Sequence, residues 1–456
     1  MSRLLIVAND VVGVRMAGPG IRCFELGRAL VAAGHQVTLV GVGASDLRSG
    51  TLVVMPQLSA VRLDELARSQ DAILLEGISL VRYPSLKDVP VPLIVDLYDP
   101  FPIALLVQEA HRSMTEQEQQ SAEILKVLRE LLRVGDFFVC ASEAQRDLWT
   151  GALLAEGRVN PKTWEQDSSL RSLIDVVPFG LPSEAPLPRP GTRDLAVGEI
   201  TDGDVVMLWG GGLYNWFDPL TLIRAMARLA DSDPRVKLIF MSTGHPNAEI
   251  PGKMWMTRRA RELSDELGLT GRRVFFNSEW VAYHERSKWL AAADCGVSTH
   301  FDHAETRYAF RTRMLDYIWG RLPIICTAGD HFAELVASRD LGWVVPAEDV
   351  DALAEAIRQM AGDAPRRRQI AERVGREADG MTWRQVSEPL AHFLANPRRA
   401  PDHPRGLERA NDPPNSLEIR SAEWLRLLRR GAQELTSQGP RAAAEKFRRW
   451  RRSSKG

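Results

Sequence analysis

Cysteine is scarce in this chain of 456 residues, and its four cysteines lie far apart in the sequence. Cys23, Cys140, Cys295 and Cys326 form no CxxC pair, so neither a structural zinc site nor a disulfide framework is expected. Each cysteine lies among apolar or small residues, which favours a reduced thiol in a protein core. We therefore expect a reducing compartment and a cytoplasmic protein.

An excess of charge and long apolar runs are also missing. The 58 Lys and Arg residues balance 59 Asp and Glu residues, which gives a formal charge of -1. A generally cationic protein that binds nucleic acid is therefore not expected. No uncharged apolar run approaches the roughly 20 residues that cross a bilayer, and residues 4–8 are too short for the core of a signal peptide. The composition predicts a soluble globular protein that is long enough for two cores.

Short apolar segments alternate with longer helical patterns from the start of the chain. This alternation is typical of βαβ units in mostly parallel sheets, so two α/β domains are the simplest interpretation. The predicted strands span residues 4–8, 37–40, 72–75, 93–96, 137–141 and 174–177 in the first half, and 205–208, 237–241, 274–276, 295–298, 323–326 and 342–345 in the second.

Changes in composition divide the chain into four segments. The proline-rich residues 186–203 are predicted to link a first domain over 1–185 to a second domain over 204–396. Residues 397–456 are predicted to form a connector and a helical, basic tail. The last sixteen residues contain seven basic residues and one acidic residue, a charge of 7 - 1 = +6.

Two glycine loops each follow the first predicted strand of a domain and precede a helix. Gly18 and Gly20 belong to the first loop, and Gly211 and Gly212 to the second. Glycine allows a backbone to approach a ligand at the carboxyl edge of a parallel sheet. Neither loop has the spacing of a dinucleotide-binding motif or a P-loop, so neither NAD binding nor ATP hydrolysis of that type is expected. Tight turns are the alternative for both loops.

Polar residues near these loops give two further candidates. Asn215 and Trp216 follow the second loop and would face the cleft if that loop binds a ligand. Asp96 and Asp99 end a predicted strand of the first half. These two acids either line the cleft from the other side or cap a turn before proline.

A third cluster places arginines and an acid at the start of a helix predicted over 309–319. Arg311 and Arg313 would lie beside the free N–H groups of that helix, which suits a diphosphate because a guanidinium pairs with two phosphate oxygens. Thr312 and Arg313 share a helix side with Asp316, whose carboxylate could accept hydrogen bonds from ribose hydroxyls. The alternative is a solvated helix face on which Arg313 pairs with Asp316.

Metal and covalent chemistry receive less support from the sequence. The His, Asp and Glu residues within 300–305 lack the spacing of a metal site, so no metal is expected. No G-x-S-x-G motif or catalytic-cysteine motif occurs.

Together these motifs resemble a GT-B glycosyltransferase of family 4. The resemblance rests on the first glycine loop, on Val-Val-Pro-Phe-Gly-Leu-Pro at 176–182, on the triple glycine followed by Leu-Ile-Arg-Ala at 222–225, and on Leu-Asp-Tyr-Ile-Trp-Gly-Arg-Leu-Pro-Ile-Ile at 315–325. It covers about residues 1–396. It implies two Rossmann-like, doubly wound domains that face a cleft. It also implies transfer of a sugar, with retention and without metal or cofactor, from a nucleotide-diphosphate donor to a glycan, lipid-linked or small-molecule acceptor.

The resemblance also distributes the site residues between the domains. It assigns acceptor binding to Gly18, Gly20, Arg22 and Asp99, and donor binding to Gly211, Gly212, Asn215, Trp216, Thr312, Arg313 and Asp316. Members of the family commonly carry two acids with seven residues between them. Asp316 matches the second acid, which contacts ribose. Tyr308 occupies the first position, so the contact with the sugar is expected to pass to Glu305.

The positive charges expected of the family are displaced in this chain. The usual arginine and lysine for the diphosphate fall on Gly212 and Phe217, which carry no charge. Arg311 and Arg313 are the expected replacements, with Arg311 placed among the catalytic residues. Asp96 is the expected residue that orients the acceptor hydroxyl.

Residues 441–456 combine basic residues with the aromatic side chains of Phe447 and Trp450, a composition that can lie on anionic lipid. Such a tail suits an enzyme at the inner face of a membrane that acts in cell-surface polysaccharide or glycoconjugate biosynthesis. A solvated tail that maintains solubility is the alternative. Two other functions stay open: a sugar-nucleotide epimerase or phosphorylase of the same shape, and a non-catalytic protein that binds nucleotide sugars.

Overall fold

The computed structural model describes residues 1–47, 52–184, 187, 195, 197, 198, 200–243 and 255–403. Most of the predicted linker and the whole tail from residue 404 lie outside the described residues. The predictions for the basic residues 441–456 therefore stay predictions.

All twelve predicted strands are present in the described residues, together with one that was not predicted. The strands of the first lobe are β1 Arg3–Val7, β2 Gln36–Val40, β3 Val53–Met55, β4 Ala72–Glu76, β5 Leu93–Asp96, β6 Phe137–Cys140 and β7 Ile174–Val176. Those of the second lobe are β8 Val205–Trp209, β9 Val236–Phe240, β10 Val274–Phe276, β11 Cys295–Ser298, β12 Ile324–Thr327 and β13 Gly342–Val345. The unpredicted strand β3 has only three residues at a sheet edge, and its Val53 is 54% exposed, so it lacks the pattern of a buried strand.

Both sheets are parallel and doubly wound. Among the described residues the strand order is β3-β2-β1-β4-β5-β6-β7 in the first lobe and β10-β9-β8-β11-β12-β13 in the second. Strands β4 and β8 are buried along their whole length, as expected for parallel strands covered on both faces. In each sheet the strand order reverses beside the first strand, and ligands of such sheets bind there, at the carboxyl ends. The predicted fold class is confirmed for the two lobes.

Helices connect the strands, and polar residues fix where several of them begin. In the first lobe they are α1 Gly18–Ala32, α2 Ala60–Arg68, α3 Ser79–Arg82, α4 Phe101–Gln108, α5 Met114–Val134, α6 Glu143–Ala155 and α7 Pro161–Gln166. The later helices are α8 Pro219–Arg228, α9 Trp255–Glu266, α10 Arg286–Ala292, α11 Ala304–Tyr308, α12 Thr312–Trp319, α13 His331–Arg339, α14 Val350–Gly362, α15 Ala364–Ala378, α16 Trp383–Val386 and α17 Glu388–Ala395. Asp218 caps α8, which follows the second glycine loop, by accepting the Thr221 N–H at 3.0 Å. None of the helices in the described part combines the length and apolar content that crossing a bilayer requires.

The end of the described chain packs on the first lobe, although the sequence predicts a second domain over 204–396. Phe393 of α17 stacks on Phe137 of β6, with ring centroids 4.7 Å apart. Asp402, which was predicted to lie in a connector, forms a buried ion pair with Arg158 at 2.9 Å. Each of these contacts joins residues that are far apart in the sequence, so the local pattern of residues could not predict it.

Candidate active site

A cleft between the two lobes contains two adjoining pockets. Together with open solvent at their mouths, the first pocket has a volume of about 880 Å³ and the second about 1110 Å³. Gly18 and Phe179 of the first lobe, and Tyr214, Thr312 and Arg313 of the second, line both pockets. The two pockets are therefore parts of one cleft, with Arg313 between them.

Arg313 is a buried cation without an acidic partner among the described residues. Its guanidinium lies 3.8 Å from the ring centroid of Phe217 and 4.6 Å from that of Trp209, and it donates one hydrogen bond, to the Gly212 carbonyl at 2.7 Å. The side chain of Asp316, on the same helix, pairs with Arg286 instead. Nη1 of Arg313 has no hydrogen-bond partner among the described residues. Burial lowers the pKa of Arg313 to about 10, so the group stays charged at neutral pH. Burying a charge lowers the stability of the folded protein unless an anion pairs with it.

Arg311 has a partner within the protein, which changes its predicted role. The predicted helix 309–319 begins only at Thr312, and Arg311 lies in the turn before it. From there its Nη1 and Nη2 donate to Oε1 and Oε2 of Glu305 at 2.9 and 2.6 Å. Both side chains are buried and line the second pocket. Arg311 was expected, with Arg313, to replace the missing cations for the diphosphate, but in this structure its guanidinium is already paired with Glu305.

Asp316 lines the first pocket beside residues that the motifs did not identify. Arg286, which begins α10, lies 3.1 Å from the Asp316 carboxylate and over the ring of Tyr283 at 4.1 Å. The Tyr283 hydroxyl donates to Glu25 of α1 at 2.9 Å, so this network joins the two lobes. Burial raises the pKa of Asp316, and Arg286 and Arg313 oppose that effect. The expected alternative, in which Arg313 pairs with Asp316 on a solvated face, is wrong because Arg286 is the partner.

The second glycine loop is held by a tyrosine from the adjoining helix. The Gly210 N–H donates to the Tyr317 hydroxyl at 2.8 Å, and that hydroxyl donates to the Val297 carbonyl at 2.8 Å. Gly211 has a φ of +75°, a conformation that glycine adopts without steric cost. A Cβ at Gly296 would lie 2.2 Å from the Tyr317 ring, so the strand β11 needs glycine there for the tyrosine to fit.

Replacing Tyr317 with phenylalanine should lower the free energy of unfolding by about 1–3 kcal/mol and weaken binding of ligands to the first pocket. The reason is that Gly210 N–H and the Val297 carbonyl lose a buried partner. Urea unfolding and nucleotide titration measure the two effects. Tyr83→Phe is the matched control, because it removes a hydroxyl that donates to the Leu58 carbonyl away from the cleft. Equal nucleotide affinity in both variants would contradict a role for Tyr317 in positioning the loop.

Asn215 and Trp216 have different surroundings, although the sequence predicts that both face the cleft. Trp216 lines the second pocket and stacks on Tyr214, with centroids 4.9 Å apart. Asn215 is buried, donates to the Gln108 carbonyl at 3.3 Å and accepts from the Met256 N–H at 3.3 Å. Its contact with Gln108 joins the lobes, so Asn215 is a structural residue rather than part of either pocket.

The two glycines of the first loop have different roles, because Gly18 lines the cleft and Gly20 packs against backbone. Gly18 lines both pockets. A Cβ at Gly20 would lie 2.4 Å from the Val11 carbonyl oxygen, so glycine is required there by close packing. Gly20 lines neither pocket, which corrects its assignment to acceptor binding.

Arg22 and Asp96 form an ion pair inside the first lobe and do not reach the cleft. Arg22 is 0% exposed and Asp96 is 1% exposed. Nε and Nη2 of Arg22 donate to the Asp96 carboxylate at 2.6 and 3.0 Å, and Nη2 also donates to the Val177 carbonyl at 2.8 Å. The guanidinium lies beside the contacting rings of Tyr98 and Phe179, 5.0 and 5.1 Å from their centroids. The assignment of Arg22 to acceptor binding and of Asp96 to orienting the acceptor hydroxyl is therefore corrected.

Asp99 is the acid of this strand end that faces the cleft. Its side chain is exposed to the solvent of the second pocket and makes no hydrogen bond or ion pair with the described residues. Partial desolvation by the surrounding walls and the charge of Glu305 raise its pKa to about 7, although Arg311 acts in the opposite direction. Asp10 and Gln108 line the same pocket, and neither belongs to a motif that would have identified it.

The histidines beside Glu305 have partners within the protein. His300 lies 3.6 Å from Asp330, and His303 accepts the Thr306 N–H at the start of α11. No group of three or more metal-binding side chains converges within the described ranges.

Comparison with known proteins agrees with this architecture. Residues 204–363 match the family model described as Glycosyl transferases group 1. A comparison with curated protein sequences finds no match.

Three solved structures illustrate the likeness of the fold. Sucrose-phosphate synthase from Thermosynechococcus elongatus is 17% identical, with a TM-score of 0.64 over 87% of this chain and 98% of that chain. WaaG, a glycosyltransferase involved in lipopolysaccharide biosynthesis, is 15% identical, with a TM-score of 0.60 over 86% of this chain and 100% of that chain. HepE of Anabaena, in complex with UDP-glucose, is 14% identical, with a TM-score of 0.59 over 87% of this chain and 100% of that chain. The chain has the GT-B fold, and its second lobe matches a glycosyl transferases group 1 domain.

Proposed function

We propose that this protein is a glycosyltransferase that moves a sugar from a nucleoside diphosphate to a hydroxyl group of an acceptor. The group 1 match of the second lobe and the GT-B fold support this class of activity. The observation that carries the proposal is Arg313, a buried guanidinium in the wall of the cleft with a nitrogen that no described residue hydrogen-bonds.

The donor binds in the first pocket. The diphosphate lies against Arg313 and the N-terminus of α12, where the guanidinium and the helix dipole both favour negative charge. The carboxylate of Asp316 accepts hydrogen bonds from the ribose and remains paired with Arg286. Glu305 contacts the transferred sugar through carboxylate lone pairs that Arg311 leaves free, at the boundary with the second pocket.

The acceptor binds in the second pocket, with its hydroxyl near Asp99. During transfer the bond between the anomeric carbon and the diphosphate oxygen breaks, and the nucleoside diphosphate leaves with the electron pair. The acceptor oxygen bonds to the same carbon on the face that the diphosphate leaves, as retention requires, and loses its proton to the Asp99 carboxylate. Arg313 stabilises the negative charge that develops on the leaving group.

The finer features of the reaction follow the family that the motifs resemble. We propose family 4, transfer of a hexose with retention at the anomeric carbon, and no requirement for a metal ion. We further propose a glycan or lipid-linked acceptor used in cell-surface polysaccharide or glycoconjugate biosynthesis, and a cytoplasmic enzyme whose residues 441–456 bind the inner face of the membrane. Equal partitioning of the full chain and a 1–438 variant onto anionic vesicles would contradict that role of the tail.

The activity should rise with pH through about 7. Asp99 accepts a proton only when it is ionised, and its pKa is about 7 in a cleft that also presents Glu305 and Arg311. The Asp99→Asn variant should have a lower kcat/KM than the wild type. Its kcat/KM should also no longer rise with pH through about 7. Glu76→Gln is the control, because Glu76 also has a pKa raised to about 7 by burial but lies inside the first lobe. A limb that disappears in the Glu76 variant and persists in the Asp99 variant would contradict the assignment.

A panel of donors tests the function itself. The UDP, GDP, dTDP and ADP forms of common hexoses are added to the full chain, and thermal shift and release of nucleoside diphosphate are measured. A bound nucleotide at 100 times its Kd should stabilise the protein by about 2.7 kcal/mol. Donor turnover that requires an acceptor supports the proposal. Donor consumption without acceptor identifies an epimerase, phosphate-dependent consumption identifies a phosphorylase, and binding without turnover identifies a non-catalytic protein.

A further inference from the structure

The charges of the second pocket are divided unequally between its walls. Its lining contains three acids, Asp10, Asp99 and Glu305, and two basic residues, Arg311 and Arg313. Glu305 and Arg311 neutralise each other through two hydrogen bonds. Arg313 lies at the boundary with the first pocket, where the proposed function assigns it to the donor diphosphate. Besides Asp10, whose carboxylate accepts the Val11 N–H, the charge left for the acceptor is therefore the carboxylate of Asp99.

Both of these carboxylates belong to the first lobe. Among the described lining residues, this wall of the second pocket contributes no Lys or Arg side chain. Asp99 is the more exposed of the two and has no hydrogen bond to the described residues. A carboxylate in this position accepts hydrogen bonds from hydroxyl or ammonium groups and repels phosphate.

Aromatic rings cover much of the remaining surface. Tyr214 and Trp216 stack with planes 8° apart and line the pocket side by side. Tyr98 and Phe179 meet edge to face on the first lobe, with centroids 5.1 Å apart. Such rings offer apolar surface to the C–H groups of a sugar ring, while a few polar groups fix its orientation.

We propose that the second pocket selects an acceptor sugar that carries no phosphate or carboxylate, either a neutral sugar or an amino sugar, and that Asp99 enforces this choice by its charge. The inference rests on the proposed function, because it assigns Arg313 to the donor. A phosphorylated acceptor would place its negative charge beside Asp99 and Asp10, and like charges in contact weaken binding by about tenfold or more.

Saturation-transfer NMR at pH 8 tests the proposal on the full chain, with and without the nucleoside diphosphate that gives the largest thermal shift. The probes are glucose, glucosamine and glucose 6-phosphate, and the corresponding three forms of mannose. In the nucleotide-bound protein the unphosphorylated sugars should bind about tenfold or more tightly than the 6-phosphates. Equal or tighter binding of the phosphates, or no binding of any probe, would overturn the inference.

Asp99→Asn identifies the source of the discrimination. The variant should bind the 6-phosphates more tightly than the wild type does, so the difference in affinity between the unphosphorylated sugars and the 6-phosphates becomes smaller. Glu118→Gln is the control, because it removes a charge from the exposed face of α5 and should leave that difference unchanged. If Asp99→Asn distinguishes the unphosphorylated sugars from the 6-phosphates as strongly as the wild type does, Asp99 is not the residue that rejects phosphate. If no nucleoside diphosphate binds, the proposed function fails. Without nucleotide, the comparison of Asp99→Asn with the wild type still shows whether Asp99 weakens binding of the 6-phosphates, because Arg313 is present and uncovered in both proteins.

Discussion

Replacing Arg313 with alanine is expected to reduce kcat/KM for the nucleotide-sugar donor by about 10²–10³-fold. The guanidinium is the cation of the cleft wall that has no acidic partner among the described residues, and its loss leaves the leaving diphosphate without its counter-charge. Titration with the nucleoside diphosphate product should show a parallel loss of affinity. Arg313→Lys should recover part of the activity, because the charge is retained without the planar fork that fits between Phe217 and Gly212.

The stability of the Arg313 variant separates a functional residue from a structural one. A buried charge without a counterion costs folding free energy, so Arg313→Ala should unfold at the same urea concentration as the wild type or a higher one. Arg224→Ala, on the exposed side of α8, is the matched control and should change neither activity nor stability. A strongly destabilised Arg313→Ala protein with normal donor kinetics per folded molecule would contradict the account.

Replacing Asp96 with alanine should lower the free energy of unfolding by about 3–5 kcal/mol. The change leaves the fully buried Arg22 without its partner and removes two short hydrogen bonds. Removing both charges, as in Arg22→Met with Asp96→Leu, should cost less than the sum of the two single changes, because neither charge is then left unpaired.

Chemical unfolding of the two single variants and the double variant measures this coupling. Donor affinity, measured at a temperature at which each variant is folded, should remain close to that of the wild type because the pair does not line the cleft. Selective loss of acceptor turnover in a stable Asp96→Asn protein would restore Asp96 as a residue that contacts the acceptor.

The sequence was sufficient for the layout of the sheets because parallel strands are buried on both faces and appear as short apolar runs. It was insufficient for β3 at a sheet edge and for α17, which packs on the first lobe through Phe393 and Phe137. That contact joins residues 256 positions apart, and no local pattern encodes it.

The sequence predicts several of the residues that line the cleft, but not the partners of the charged ones. The motifs around Gly211, Arg313 and Asp316 place these residues correctly in one cleft, because the carboxyl ends of parallel strands meet there. The partners of the charged residues were not predictable from the motifs. Asp96 and Asp99 are three residues apart and chemically alike, yet one is buried against Arg22 and the other faces the cleft.

Arg286 is a residue of the site that the motifs did not predict. It lies 30 residues before Asp316 in the sequence and outside every motif, but it begins α10 at the edge of the first pocket and neutralises that acid. Arg286 lies ten residues after β10, so a search would have found it only by including basic residues in the first turns of the helix that follows each strand of the second half.

The most direct test is a crystal structure of the full chain with the nucleoside diphosphate that binds most tightly. We expect a phosphate oxygen to lie about 2.7–2.9 Å from a terminal nitrogen of Arg313, and the ribose hydroxyls to hydrogen-bond to Asp316. A diphosphate bound away from Arg313, with its guanidinium still unpaired, would contradict the central claim.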